Sequence, residues 1–187
     1  MQSAAILAGG RATRFGGRDK GALVVDGRTI RDRQLAMLSA VADEVLIVAP
    51  GHVADVFPGC GPMGGVHAAV SAARHDAVFV IACDMPFVTA PFAAHLLGLA
   101  EHADVVVPRT ERGFHPLCAV YTRACLEPLA RRLEAGSLKM QTLLDDVRVR
   151  VVETDEIDAF GDRERLLANI NSPADYAGLE ALHCHER

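Results

Sequence analysis

No Cys-x-x-Cys pair occurs in the chain, no Gly-Lys-Ser or Gly-Lys-Thr follows its glycines, and no apolar run nears the ~18 residues a membrane helix needs. The first absence excludes a zinc ribbon and a thioredoxin-like site. The five cysteines (Cys60, Cys83, Cys118, Cys125 and Cys184) are odd in number, and Cys83 and Cys118, set in apolar strands, read as small core residues. The second absence excludes a P-loop, and the first glycine-rich loop also lacks GxGxxG because its glycines come in pairs. The third excludes a membrane-spanning helix. With the N-terminus leading directly into a strand, no signal peptide is expected and the expected location is cytoplasmic. A positive excess is missing too, for a formal net charge of −5 argues against non-specific nucleic-acid binding. No repeat, low-complexity segment or linker divides the 187 residues, so residues 1–187, half of them hydrophobic, are expected to form one domain. The terminal His183-Cys184-His185 is a place for adventitious transition-metal binding and carries little functional weight.

Positive charge is instead local. Leu7 to Gly21 reads LAGGRATRFGGRDKG, with Arg11, Arg14, Arg18 and Lys20 set among Gly9, Gly10, Gly16, Gly17 and Gly21. The apolar run Ser3 to Leu7 before it suits a buried strand. Glycines let a backbone turn tightly and approach a ligand, bared N–H groups form anion-binding concavities, and cations supply the charge that phosphates need. A strand entering such a loop is a site for a phosphorylated ligand, or else a plain surface loop with solvated arginines.

Strands and helices alternate through most of the remainder. Ala22–Val25 runs into the turn signal Asp26-Gly27, and Thr29 is placed to cap a helix with Ile30, Leu35, Met37 and Leu38 on its apolar side. Glu44–Ala49 predicts a strand apolar on both faces. Gly61-Pro62-Met63-Gly64-Gly65 opens a helix over 66–74, whose N-terminal N–H groups suit an anion or simply start the helix. Ala77–Ala82 predicts a central strand, ending in Cys83-Asp84-Met85-Pro86. A carboxylate beyond the carboxyl end of such a strand suits Mg²⁺ shared with phosphates. Asp84 is therefore read as a metal ligand, with a turn role before Pro86 as the alternative. Further helices are expected over 91–101, 123–135 and 138–144. Further strands are expected at 104–108 and 118–121, then at Val147, Val149 and Val151, which alternate with solvated arginines. Ser172 suits an N-cap and Pro173 the first turn of a last helix. The pattern implies right-handed βαβ units: an α/β, Rossmann-like, mainly parallel sheet with helices on both faces.

Ala8-Gly9-Gly10, Arg14-Phe15-Gly16 and Asp19-Lys20 together resemble the signature loop of nucleotidyltransferases, most closely the molybdenum cofactor guanylyltransferases. Related cytidylyltransferases tend to carry Ala-Ala-Gly where this chain has Ala8-Gly9-Gly10. Four further markers follow in the family's order: Gly61 to Gly65, Cys83 to Pro86, His115-Pro116 and Asn169 to Pro173. The chain departs from the family between Ala49 and Gly61, where its connection is shorter, and at Phe15, where methionine is more usual.

The resemblance implies a fold like that of the nucleotide-diphospho-sugar transferases. It also implies transfer of GMP from GTP to the terminal phosphate of molybdopterin or its molybdenum-loaded form, with Mg²⁺ as cofactor and pyrophosphate leaving. By that analogy Arg14, Lys20 and Asp84 are the catalytic candidates. Leu7, Ala8, Gly9, Gly10, Lys20, Asp55 and Asp84 would contact the nucleotide, and Asp84 the metal. His115, Asn169 and Asn171 would lie on the pterin side, although His115 also reads as a structural histidine and the asparagines as capping residues. Expected partners are these two substrates and, as recipients of the product, molybdoenzyme apo-proteins or their chaperones, with no nucleic acid and no membrane. The rival readings are the same chemistry with CTP or a sugar phosphate, and a non-catalytic nucleotide or cofactor carrier.

Overall fold

The computed structural model describes residues 1–8, 20–54, 56–172 and 175–176. In chain order its strands are β1 (Ser3–Leu7), β2 (Val24–Val25), β3 (Arg28–Thr29), β4 (Glu44–Val48), β5 (Ala77–Ala82), β6 (Val105–Thr110), β7 (Gly113–Phe114), β8 (Cys118–Thr122) and β9 (Val149–Val152). The helices are α1 (Ile30–Ser39), α2 (Gly61–Ala72), α3 (Ala90–Gly98), α4 (Leu126–Glu134), α5 (Met140–Leu143), α6 (Thr154–Asp158) and α7 (Arg163–Leu166). Seven strands make one sheet in the order β4-β1-β5-β8-β6-β7, with β9 on the far side of β6. β1 pairs in parallel with both β4 and β5, in a register that sets Leu7 opposite Val48 and Ala82. β4, β1, β5, β6 and β9 all run the same way. The expected mainly parallel α/β sheet is present.

β1 and β5 are apolar throughout because both of their faces are covered. Ala4, Ile6, Phe79 and Ile81 point into a core under α1, α3, α6 and α7. Ala5, Leu7, Val78 and Val80 point into a second core under α2, α4 and α5. A third, smaller core gathers Val25, Ile30, Phe87 and Ile170, with Tyr176 against it. It joins the β2–β3 hairpin to the segment around Ile170 at the carboxyl end of the sheet. Asp26 at φ 52° and Gly27 at φ 75° close that hairpin, the double left-handed turn that two-residue loops favour. Tyr176 Oη donates to Val24 O at 2.6 Å, tying the late segment to it.

Several local expectations change. β8 runs antiparallel between β5 and β6 because residues 109–114 form a hairpin, Arg109–Thr110 pairing with Gly113–Phe114, that returns the chain alongside β6. β4 is an edge strand and only half-buried over most of its length, since it has one ladder neighbour to cover it. Two Pro-Gly turns, closed by His52 N–H on Ala49 O and Cys60 N–H on Phe57 O, fold the short 49–61 connection, with Val53 bridging back to β4. The buried stripe of α1 is Ile30, Gln34 and Leu38, while Leu35 and Met37 are only partly covered. The expected 91–101 helix divides into α3 and a 3-10 turn over Leu99–His102, and that over 123–135 begins with a 3-10 turn at Arg123–Cys125. Arg148 and Arg150 are not merely solvated: Arg148 pairs with Asp104 at 2.7 Å and Arg150 with Glu156 at 2.8 Å. Hydrogen bonds from Arg148 hold the Asp104 carboxyl below its usual range. α6 and α7 were not anticipated. Cys118 is fully buried, as expected, but Cys83 is half-exposed in the turn after β5. The His183–His185 tail lies outside the described residues.

α2 starts at Gly61 rather than after Gly65, with Pro62 in its first turn. Gly65 is thus a helix-interior residue, packed over the Leu7 side chain. A β-carbon there would lie 3.4 Å from both terminal methyls of Leu7. Gly65→Ala should be neutral or stabilising by up to about 1 kcal/mol, because ordinary contact is kept and helix propensity improves. Gly65→Val should cost roughly 1–3 kcal/mol by wedging further methyls against Leu7. Urea unfolding of the two variants measures both; equal stability of Val and Ala variants would show that Leu7 yields freely.

Candidate active site

β1 has β4 on one side and β5 on the other, so successive crossovers leave it in opposite directions. In open α/β sheets such a switch point opens a crevice beyond the carboxyl ends of the strands. Ala8 leaves β1 there, its N–H donating to Val48 O at 3.0 Å, and Leu7 O accepts from Cys83 N–H at 3.2 Å. These backbone groups of Leu7 and Ala8 are therefore occupied in holding the strand ends together. Gly9, Gly10, Arg14 and Asp55 lie outside the described residues.

Lys20, Asp84, Asn169 and Asn171, far apart in the chain, converge beside this edge. Lys20 Nζ lies 3.0 Å from Asp84 Oδ2 and 3.4 Å from Asn171 Oδ1. Asn169 Nδ2 donates to Asp84 Oδ1 at 3.1 Å. Both oxygens of the carboxylate thus have protein partners. The ion-pair side chains are 19% and 15% exposed, shielded enough to strengthen their attraction yet reachable by a ligand. The Asp84 carboxylate is a counter-charge to Lys20.

Each member is placed by backbone. The 3-10 turn Lys20–Ala22 is tied down by Leu23 N–H on Lys20 O, and Ile30 N–H on Leu23 O fastens it to α1. Asp84 sits in the turn after β5, where its own carbonyl accepts from Ile170 N–H at 2.9 Å. The carboxylate of Asp175 accepts from Asn171 N–H and Ser172 N–H, both at 2.9 Å, while its N–H donates to Ser172 Oγ. Ser172 therefore serves as the expected cap, in a reciprocal arrangement. The backbone hydrogen bond from Asn171 leads in lowering the pKa of Asp175. Pro173 lies outside the described residues.

Two residues that the sequence did not single out grip the Asp84 turn from α1. Gln34 Nε2 donates to Ala82 O at 2.8 Å and Met85 O at 3.1 Å. Arg33 Nε donates to Pro86 O at 3.3 Å, and its guanidinium also pairs with Asp26 at 3.2 Å. The available signal was a glutamine on the buried i, i+4 stripe between Ile30 and Leu38.

His115 stands at the same edge of the sheet, just before β8, and its hydrogen bonds lie within its hairpin. Its Nε2 is 3.0 Å from Thr110 Oγ1, and its N–H donates to Pro108 O. Burial, then the nearby Arg112 charge, lowers its pKa below the ordinary 6.5, with Glu164 opposing. The imidazole is accordingly neutral at pH 7.

Among the described residues no three His, Cys, Asp or Glu side chains group to hold a metal. A single shielded carboxylate beside a lysine suits a hard cation whose other ligands come from phosphate and water. It does not suit a metal enclosed by protein. Nor is any described helix long and apolar enough to cross a membrane.

A switch-point carboxylate and lysine under a parallel sheet define a phosphate-handling α/β protein. Residues 4–151 match the MobA-like NTP transferase domain, and the chain belongs to that family of nucleotidyltransferases. It is 35% identical to the molybdenum cofactor guanylyltransferase of Desulfosudis oleivorans, over 94% of this chain and 93% of that one. It is 34% identical to a probable molybdenum cofactor guanylyltransferase of Pelotomaculum thermopropionicum, over 91% and 87%. Its fold resembles the crystal structure of molybdopterin-guanine dinucleotide biosynthesis protein A from Archaeoglobus fulgidus, with a TM-score of 0.81, 23% identity and coverage of 97% and 98%. A Mycobacterium tuberculosis protein solved in complex with manganese shares the fold at a TM-score of 0.61 and 18% identity, with coverage of 89% and 97%.

The lowered pKa of His115 has a consequence for stability. Between its depressed folded value and the ordinary 6.5, the unfolded chain binds the proton and the folded one does not. Stability from this group is therefore complete above pH 6.5 and lost as pH falls towards the folded value. Urea unfolding at pH 7.5 and 5.5 should show the wild type losing more stability than His115→Gln. Equal losses would show that His115 does not carry the effect.

Proposed function

We propose that this chain, acting as one domain, transfers GMP from GTP to the terminal phosphate of molybdopterin or of its molybdenum-loaded form. The observation that carries the reading is the convergence of Lys20, Asp84, Asn169 and Asn171 at the switch point of a nucleotidyltransferase sheet. The names of the curated relatives supply the nucleotide and the acceptor.

An oxygen of the acceptor phosphate attacks the α-phosphorus of GTP. The new O–P bond forms as the bond from the α-phosphorus to the α,β-bridging oxygen breaks, and pyrophosphate leaves with the electron pair. A phosphate monoester is already anionic at pH 7, so no strong general base is needed, and catalysis rests on alignment and charge stabilisation. Lys20 turns from Asp84 to the α-phosphate and offsets charge in the transition state. Arg14, with the loop of Gly9 and Gly10, holds the departing phosphates. Asp84 would hold Mg²⁺, and a divalent ion bound there would supply neutralisation of phosphate charge. Leu7, Ala8 and Gly9 would serve the nucleoside through their backbone, with Asp55 as a further nucleotide contact. Asn169, Asn171 and His115 would serve the pterin side, His115 as a neutral hydrogen-bonding group. The reaction belongs in the cytoplasm, where molybdoenzyme apo-proteins or their chaperones would take up the product.

Pyrophosphate release with molybdopterin and Mg²⁺, measured in parallel for GTP, CTP, ATP and UTP, should appear with GTP alone. Release with CTP would reassign the nucleotide, and folded protein that binds nucleotide without releasing pyrophosphate would be a carrier. Lys20→Ala should lower kcat by roughly 10²- to 10³-fold, the scale of losing one transition-state donor, with a melting temperature within a few degrees of wild type. Full activity in that variant would remove Lys20 from the chemistry.

A further inference from the structure

We propose that Gln34 is a positioning residue for Asp84, holding the turn that presents the metal-binding carboxylate. This rests on the reading of Asp84 as the metal's protein ligand. Gln34 is 2% exposed, between Ile30 and Leu38 at 0% on the same helix face. A buried amide in an apolar stripe costs stability unless its polar atoms are paired. Only half of this one is. Nε2 spends both hydrogens, on Ala82 O and Met85 O, while Oε1 has no partner among the described residues. The orientation is forced by its neighbours, because two carbonyl acceptors require the NH₂ end to face them. A leucine or methionine would fill the stripe without stranding an oxygen.

What glutamine adds is a two-point tie. Ala82 closes β5 and Met85 follows Asp84, so the tie spans Cys83 and Asp84 from the α1 side. From the opposite side Ile170 N–H holds the carbonyl of Asp84 itself. The backbone of Asp84 is thereby fixed, while its side chain remains able to exchange the lysine for a metal ion. No side chain other than a primary amide of this length offers two donors on one planar nitrogen and carries no charge into the core. Gln34 touches neither substrate nor reacting atoms, and its effect passes entirely through the geometry of the turn.

The test measures Mn²⁺ binding by electron paramagnetic resonance, with the α,β-methylene analogue of GTP present so that no turnover intervenes. Gln34→Met should weaken Mn²⁺ binding by about 10-fold or more, the scale of losing a group that orients a metal ligand. Leu38→Ala, on the same stripe, should lower the melting temperature and leave Mn²⁺ affinity within twofold. Gln34→Met within twofold of wild type overturns the proposal, as does an equal loss of affinity in Leu38→Ala. Asp84→Asn in the same assay separates the two readings. If it leaves Mn²⁺ binding intact, the role of Asp84 falls; if it weakens binding and Gln34→Met does not, only the role of Gln34 falls. Should Gln34→Met fail to fold, nuclear magnetic resonance of the wild type decides. The Gln34 side-chain amide signals should shift on addition of Mg²⁺ and the analogue, and unmoved signals overturn the proposal.

Discussion

Double-sided pairing of β1 is the constraint on which the rest depends. Its register sets Leu7 level with Val48 and Ala82, so three strands end together and in the same direction. Burial on both faces fixes that register firmly, because a slip of one residue would exchange the side chains of the two cores. The crevice at the switch point follows from this alignment. So does the height at which Asp84 emerges, since Cys83 N–H is bonded to Leu7 O one residue before it.

The polar centre is built on that edge from pieces that the chain brings back late. The small core of Val25, Ile30, Phe87 and Ile170 sets the β2–β3 hairpin, α1, the Asp84 turn and the asparagine segment against one another. Buried apolar contact thus supplies the rigidity, and the polar atoms at the edge need only complete their pairings. The carboxylate of Asp84 is partnered by a cation and an amide that phosphate and metal can replace without leaving a buried charge unpaired.

Much of this was legible in the chain. Continuous apolar runs identified β1 and β5 because strands covered on both faces carry no alternation, and Asp84 could be placed because it follows such a run directly. Lys20 stood out as a cation among glycines, and the Asn169–Ser172 block by its capping residues. What could not be read was long-range. β4 resembles a central strand in composition, and only the sheet order shows it at an edge. The antiparallel β8 has the same apolar content as a parallel strand, and its direction depends on the short hairpin at Glu111–Arg112. Gln34 was not singled out, since the carbonyls it serves lie 48 and 51 residues further on. Gly65 marked a helix start in the sequence, yet it lies inside α2 against Leu7.

The return of the Asn169–Asn171 segment to Asp84 also has a meaning in time. Synthesis proceeds from the N-terminus, and a nascent chain can hold β1, α1, β4, α2 and β5 long before residue 169 exists. Such a chain has Lys20 and Asp84 but neither asparagine, and Ile170 is missing from the core behind them. An unfinished polypeptide on the ribosome therefore carries an incomplete centre. The polar centre is complete only once the Asn169–Asn171 segment has been made.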